Sequence, residues 1–164
     1  MLKFVNMKFR RYMITGLVLL ITLITGCGSK NTATKCGPCP LFALALPNIN
    51  FKVVDKTTGQ DLFFGASAPY KYKQLVMHHI INGKADTAYL HIDTLNRYFN
   101  IFVDPGHLVD TVTLNVADKP QDKLLFFTAF TGGCCSYMYL NSVTYNGQVV
   151  FNKGDGAKVV VLAK

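Results

Sequence analysis

Five cysteines are the residues of this chain best suited to do chemistry: Cys27, Cys36, Cys39, Cys134 and Cys135. Cys36-Gly37-Pro38-Cys39 has the spacing of a redox dithiol, in which one thiolate attacks a disulfide and the second resolves the mixed intermediate. Such a pair needs a strand to deliver it and a helix behind it, whose N-terminus lowers the first thiol's pKa. Neither is predicted. Only the polar residues 28–35 precede the pair, and only residues 41–46 separate Pro40 from Pro47. Cys134 and Cys135 are adjacent, and a bond between them would close a small strained ring. The expectation is therefore structural, with one or two bridges from Cys36 and Cys39 to Cys134 and Cys135. Each would close a loop of roughly 100 residues, worth about 4–5 kcal/mol in the chain-entropy account. A four-cysteine zinc site is the metal alternative, but adjacent cysteines fit one tetrahedron poorly.

Other chemistry-bearing residues are sparse. His78, His79, His91 and His107 lack the spacing that sets two ligands on one face. In a strand His78 and His79 point to opposite faces, one to solvent and the other packed. The acidic residues are scattered aspartates, and Gly154-Asp155-Gly156 reads as a turn rather than a calcium loop. No nucleophile elbow, phosphate loop or paired acidic constellation is present. The expectation is no catalytic residue, no metal and no cofactor. Tyr70, Lys71, Tyr72 and Lys73 form the one segment with a binding character, since alternation sets two rings on one face and two ammonium groups on the other. A glycan would suit it, though the stronger reading is a strand with rings in the core and lysines in water.

The elements that must position these residues are strands. Runs of apolar, β-branched and aromatic residues fall at 49–53, 62–64, 74–81, 87–92, 98–103, 109–116, 123–130, 137–145, 148–151 and 158–162. Turn chemistry separates them: Thr58-Gly59, Asn82-Gly83, Asp104-Pro105-Gly106, Lys119-Pro120, Asn146-Gly147 and Gly154-Asp155-Gly156. Asn146-Gly147 is the strongest hairpin signal, because a type I′ turn needs positive φ twice. No segment offers three turns of helical periodicity. Short strands at this spacing predict an all-β fold, an antiparallel β-sandwich. Val53, Leu75, Leu90, Ile101, Val112, Leu114, Phe126 and Leu140 are expected in its core.

A leader precedes all of this. Lys8, Arg10 and Arg11 form a basic start, with Met7 as the natural initiator, and residues 13–25 are uncharged and mostly apolar. Thirteen residues make about 20 Å of helix, too short for a hydrocarbon core of about 30 Å but right for a secretory signal. Ile24-Thr25-Gly26-Cys27 then resembles the lipobox of bacterial lipoproteins. That resemblance implies a diacylglycerol on the Cys27 thiol and removal of residues 1–26. Residues 27–35 would be a lipidated tether and 36–164 the domain. It also implies a cell-envelope location, the outer membrane fitting best because Gly28 stands where inner-membrane retention would use an aspartate. Cys36-Gly37-Pro38-Cys39 is letter for letter the thioredoxin motif, although Lys35 stands where that family has tryptophan. Residues 53–62, a strand entering a Thr-Gly turn and leaving it, resemble the first hairpin of the immunoglobulin-like or transthyretin-like domains of Bacteroidota envelope proteins. That likeness implies a fold and a location, not an activity.

Charge supports an envelope role over a nucleic-acid one. The chain carries a formal +8, but the leader holds four of its 17 basic residues and no acid. The mature part thus has 13 Lys and Arg against nine Asp, a net +4, which removes the main argument for nucleic-acid binding. The function expected is a membrane-anchored, non-enzymatic binding or structural module, its partners being the membrane through the lipid and an envelope protein or glycan. The rivals are an envelope thiol–disulfide oxidoreductase using Cys36 and Cys39, and a glycan-binding accessory using Tyr70 and Tyr72.

Overall fold

The computed structural model describes residues 46–156 and 158–164. The leader 1–26, the tether 27–35, Cys27, Cys36 and Cys39 lie outside the described residues. Ten strands run in chain order: β1 (Asn48–Val54), β2 (Leu75–Ile81), β3 (Lys84–Thr87), β4 (Leu90–Asp93), β5 (Tyr98–Phe102), β6 (Val109–Val116), β7 (Asp122–Phe130), β8 (Met138–Tyr145), β9 (Gln148–Asn152) and β10 (Val160–Ala163). They form a four-stranded sheet, β10-β1-β5-β4, and a six-stranded sheet, β3-β2-β6-β7-β8-β9. The two pack together as an all-β sandwich, as the sequence predicts. Among the described residues the only helical segments are single 3-10 turns at Tyr72–Gln74 and Lys153–Asp155.

Alternation sets the inner faces. Along β6, Val112, Leu114 and Val116 are buried while Thr111, Thr113 and Asn115 are only half-buried. Strand β7 buries Leu124, Phe126 and Thr128, and β1 buries Ile49, Phe51 and Val53. Of the expected core, all but Leu90 are buried, and Leu90 packs half-buried against the rest. An aromatic cluster occupies the small-sheet side. Phe99 lies 4.9 Å from Phe64, 5.3 Å from Phe63 and 5.5 Å from Phe51, centroid to centroid. Leu114 has no exposed surface. Leu114→Ala is expected to cost about 2–5 kcal/mol in urea unfolding, and a loss below about 1 kcal/mol would place it outside the packed core.

Turn chemistry holds where it was strongest. Asn82 and Gly83 (φ 52° and 76°) link β2 to β3, and Asn146 and Gly147 (φ 48° and 85°) link β8 to β9. Both are the positive-φ pairs that a two-residue hairpin turn requires.

Three expectations change in detail. Residues 62–64 form no strand: Asp61 Oδ1 accepts from the N–H groups of Phe63 and Phe64 at 2.9 Å, curling the backbone so that consecutive apolar side chains all reach the core. The run 87–92 divides between the sheets. Thr87 ends β3 and Leu90 begins β4, while buried Ala88 donates to Met77 O at 3.0 Å at the crossing. Finally, β10 pairs with β1 in parallel, so the sandwich is not wholly antiparallel.

Candidate functional site

One end of the sandwich gathers residues with chemical potential. Strand β2 buries Leu75 and Met77 and then presents His79 in the same phase, where alternation would continue the core. Strand β6 likewise sets Asp110 in phase with Val112 and Leu114. The two meet: His79 Nδ1 lies 2.8 Å from Asp110 Oδ2, with side-chain exposures of 14% and 3%. The same Oδ2 accepts from the Asp104 N–H at 3.0 Å, tying the turn after β5 to β6. Next to it, Asp104 Oδ1 accepts from Gly106 N–H at 2.9 Å and Oδ2 meets His107 Nδ1 at 3.2 Å.

His79 lines an open cleft of about 290 Å³ together with Leu46, Ile81, Asp86, Thr87, Tyr89, Phe102, Val103, Asp104 and Pro105. The hydrogen bond that His79 Nδ1 donates to the Asp110 carboxylate raises the His79 pKa above 6.5. Burial opposes that, and the charges of Asp110, Asp104 and Asp86 add to it. The Asp104 carboxyl is held below the usual range by the Gly106 N–H, against burial and with help from His107. A histidine oriented by a buried carboxylate is the base half of a nucleophilic pair. Among the described residues that line the cleft, the hydroxyls beside it are those of Thr87 and Tyr89.

The pair makes a pH-dependent contribution to stability. Because the folded His79 pKa is raised, the contribution is fully present below the free-imidazole value of 6.5 and is lost as pH rises through the raised value. Asp110→Asn is expected to destabilise by about 1–3 kcal/mol. The loss should be larger near about pH 5.5 than near about pH 8.5. Urea unfolding at the two pH values checks this, and an equal loss at both would mean that the pair is not charged when folded.

A second polar cluster joins the sheets elsewhere. The Lys164 ammonium contacts the Asp122 carboxylate and Pro120 O, with Lys164 only 5% exposed. Tyr145 Oη and Asn146 Nδ2 each donate to Asp122 at 2.8 Å. Burial pushes the Asp122 carboxyl up, but the hydrogen bonds from Lys164, Asn146 and Tyr145 outweigh it and hold it low. The Tyr145 phenol is raised by burial and by Asp122. These contacts join Lys164, just after β10, to β7, β8 and the turn that follows β8, which makes the cluster a clip between the two sheets.

The residues singled out from sequence are widely separated. Tyr70 and Tyr72 are half-buried: Tyr70 stacks on Phe63 at 5.9 Å, and Tyr72 stands 5.2 Å from Phe64. Lys71 and Lys73 are exposed, and the segment forms no strand: Tyr70 and Lys71 lead into the 3-10 turn Tyr72–Gln74. A hollow of about 230 Å³ opens there between Tyr70, Lys71, Tyr72 and Phe63. His78 and His79 lie in opposite phases of β2 but are both half-buried, so neither is simply solvent-facing; His79 is the one on the inner phase. His91 is exposed on β4. Cys134 and Cys135 are exposed in the 131–137 connection between β7 and β8. Thr131 closes its base, donating to Tyr137 O at 3.0 Å while its hydroxyl accepts from Tyr137 N–H at 3.0 Å. Neither cysteine stands as a free thiol. No group of His, Cys, Asp or Glu among the described residues is arranged to hold a metal ion. Among the described residues no helix is long and apolar enough to cross a membrane.

Sequence reasoning missed the His79–Asp110 pair and the Asp122 cluster. The signal was present in both: an acid at a core-phase position of a strand, Asp110 before Val112 and Asp122 before Leu124. A buried carboxylate needs partners. Comparison with protein-family models, with curated proteins and with solved structures finds no match.

Proposed function

We propose that this chain is an envelope lipoprotein, anchored through Cys27 and carrying a non-enzymatic β-sandwich that binds a partner or plays a structural part. Ile24-Thr25-Gly26-Cys27 after a basic, apolar leader carries the reading. An acylated cysteine with two chains attaches stably where one would exchange. The outer membrane is the proposed location, since Gly28 rather than an aspartate directly follows Cys27.

The four remaining cysteines act as a clamp in this reading, joining the Cys36/Cys39 segment to the 131–137 connection. That Cys134 and Cys135 are both engaged supports it. The cleft beside His79 mixes apolar walls with Asp86 and Asp104, which suits holding a partner side chain better than turning over a substrate.

The test is cross-linked capture from the native envelope with the lipidated protein, alongside the Tyr89→Ala form. A protein or polymer retained by the first and reduced several-fold on the second is the expected result. Steady turnover of a mixed-disulfide substrate would replace this reading with an oxidoreductase.

A further inference from the structure

The two sheets of the sandwich turn different faces outward. On the four-stranded sheet the outward positions are largely polar: Asn50 and His91 each pair with Asn100, and Asp93 pairs with Tyr98. Asn100 donates to Asn48 and Asn50 at 2.9 and 2.7 Å, so this face satisfies its own polar groups. The six-stranded sheet is the reverse. Its inner phase takes Met77, Val112, Leu124 and Val143, and the residues between them point outward. The register lines these up across the strands. Thr111, Leu125, Thr144 and Val149 make one row over β6 to β9, and Val109, Phe127 and Ser142 make the next. Ile80 and Ala85 extend the outward phase onto β2 and β3. Val109 and Val149 are 47% and 60% exposed. Among the described residues no aspartate of this sheet takes the outward phase: Asp86, Asp110 and Asp122 stand opposite His79, Phe126 and Leu114 on the inner one. Its cations stand at the rim. Lys123 pairs with Thr113, and Lys153, just past β9, lies over the Tyr139 ring at 3.6 Å.

We propose that this outward face packs on the same face of a second copy of the chain, sheet on sheet about a two-fold axis. Six strands about 4.8 Å apart, with outward rows about 6.8 Å apart, give a face of roughly 500–600 Å². Two such faces together bury roughly 1,000–1,200 Å², where specific protein pairs begin. The layout is that of an interface, with an apolar centre and a polar, cationic rim. Charge selects the occupant. A partner presenting carboxylates would set them against Val109, Leu125 and Phe127, where a buried charge finds no counter-ion. A second copy brings no acid to the centre and keeps its lysines at the rim, in water. The hydroxyls select as well. Thr111 and Thr144 flank Leu125 in its row, and bilayer hydrocarbon would leave them unbonded. A facing copy supplies hydroxyls that both donate and accept. Isologous contact also removes the broadest apolar surface of the sandwich from water at once in both copies. The dimer goes beyond the partner binding proposed for the cleft and rests neither on that cleft nor on the lipid at Cys27.

Sedimentation velocity of the purified full chain tests the dimer. The parent should sediment as a dimer at micromolar concentration. Leu125→Lys sets an ammonium at the centre of the face and should weaken self-association by at least about tenfold. Lys52→Glu, on the outward face of the other sheet, should leave it unchanged. Photo-cross-linking needs neither variant to fold. Benzoylphenylalanine at position 144, irradiated in the native envelope, should give an adduct of twice the chain's mass, all of whose peptides belong to this sequence. A parent that stays monomeric, or a dimer that Leu125→Lys leaves intact or Lys52→Glu abolishes, would overturn the inference. So would an adduct from position 144 to a different protein or to lipid, or no adduct there at all.

Discussion

A Cys27→Ser chain is expected to leave the membrane, accumulating either as a soluble form or as an uncleaved precursor. The size of the effect follows from the lipid. Each buried CH₂ contributes about 0.8 kcal/mol, and two acyl chains together hold a protein where one exchanges freely. The serine variant loses all of it at once. Intact-mass measurement of membrane-extracted parent protein should show a chain starting at Cys27 and carrying at least a diacylglyceryl group. Recovery of the parent in the soluble fraction with residues 1–26 still attached would end the lipoprotein reading. Residues 13–25 are too few to span the bilayer as a helix, so they offer no second anchor to mask the result.

Most of the fold was legible because strand alternation and turn chemistry are local. β6, read as Val-Asp-Thr-Val-Thr-Leu-Asn-Val, shows its buried phase without any tertiary information. The Asn-Gly pairs fix their hairpins because few other residues tolerate two successive positive φ values. Pairing between distant segments was not legible. The parallel contact of β10 with β1 joins Val160 to Phe51, and no local pattern encodes it. Likewise the division of 87–92 between sheets depends on where the second sheet lies, which Ala88 and its neighbours do not state. The cleft is a product of the same long-range geometry: its walls come from β2, β3, β5 and the residues before β1. Its buried pair was half legible, since Asp110 breaks the apolar phase of β6 and so requires a partner. That the partner is His79 rather than His78 follows from the register, in which His79 lies opposite Val112.

Oxidised protein is expected to contain no free thiol besides any unmodified Cys27, and peptide mapping should join the 36/39 segment to Cys134 and Cys135. Replacing Cys134 and Cys135 by serine should lower stability by a few kcal/mol, up to about 4–5 for each loop of roughly 100 residues. The main effect falls on the unfolded chain, which gains the freedom that the bridges remove. The sandwich itself should survive: Cys134 and Cys135 sit on an exposed connection whose base is closed by Thr131 and Tyr137, and neither is among the buried residues. A catalytic dithiol predicts the opposite pattern. Cys36 and Cys39 would bond to each other, cycle with a thioredoxin-like partner, and leave stability nearly unchanged when Cys134 and Cys135 are replaced. The clamp is favoured because both late cysteines are engaged while residues 28–35 and 41–46 supply neither the strand nor the helix needed to activate a thiol. A thiol titration before and after unfolding, run on the parent and on the Cys134→Ser/Cys135→Ser form, separates the two.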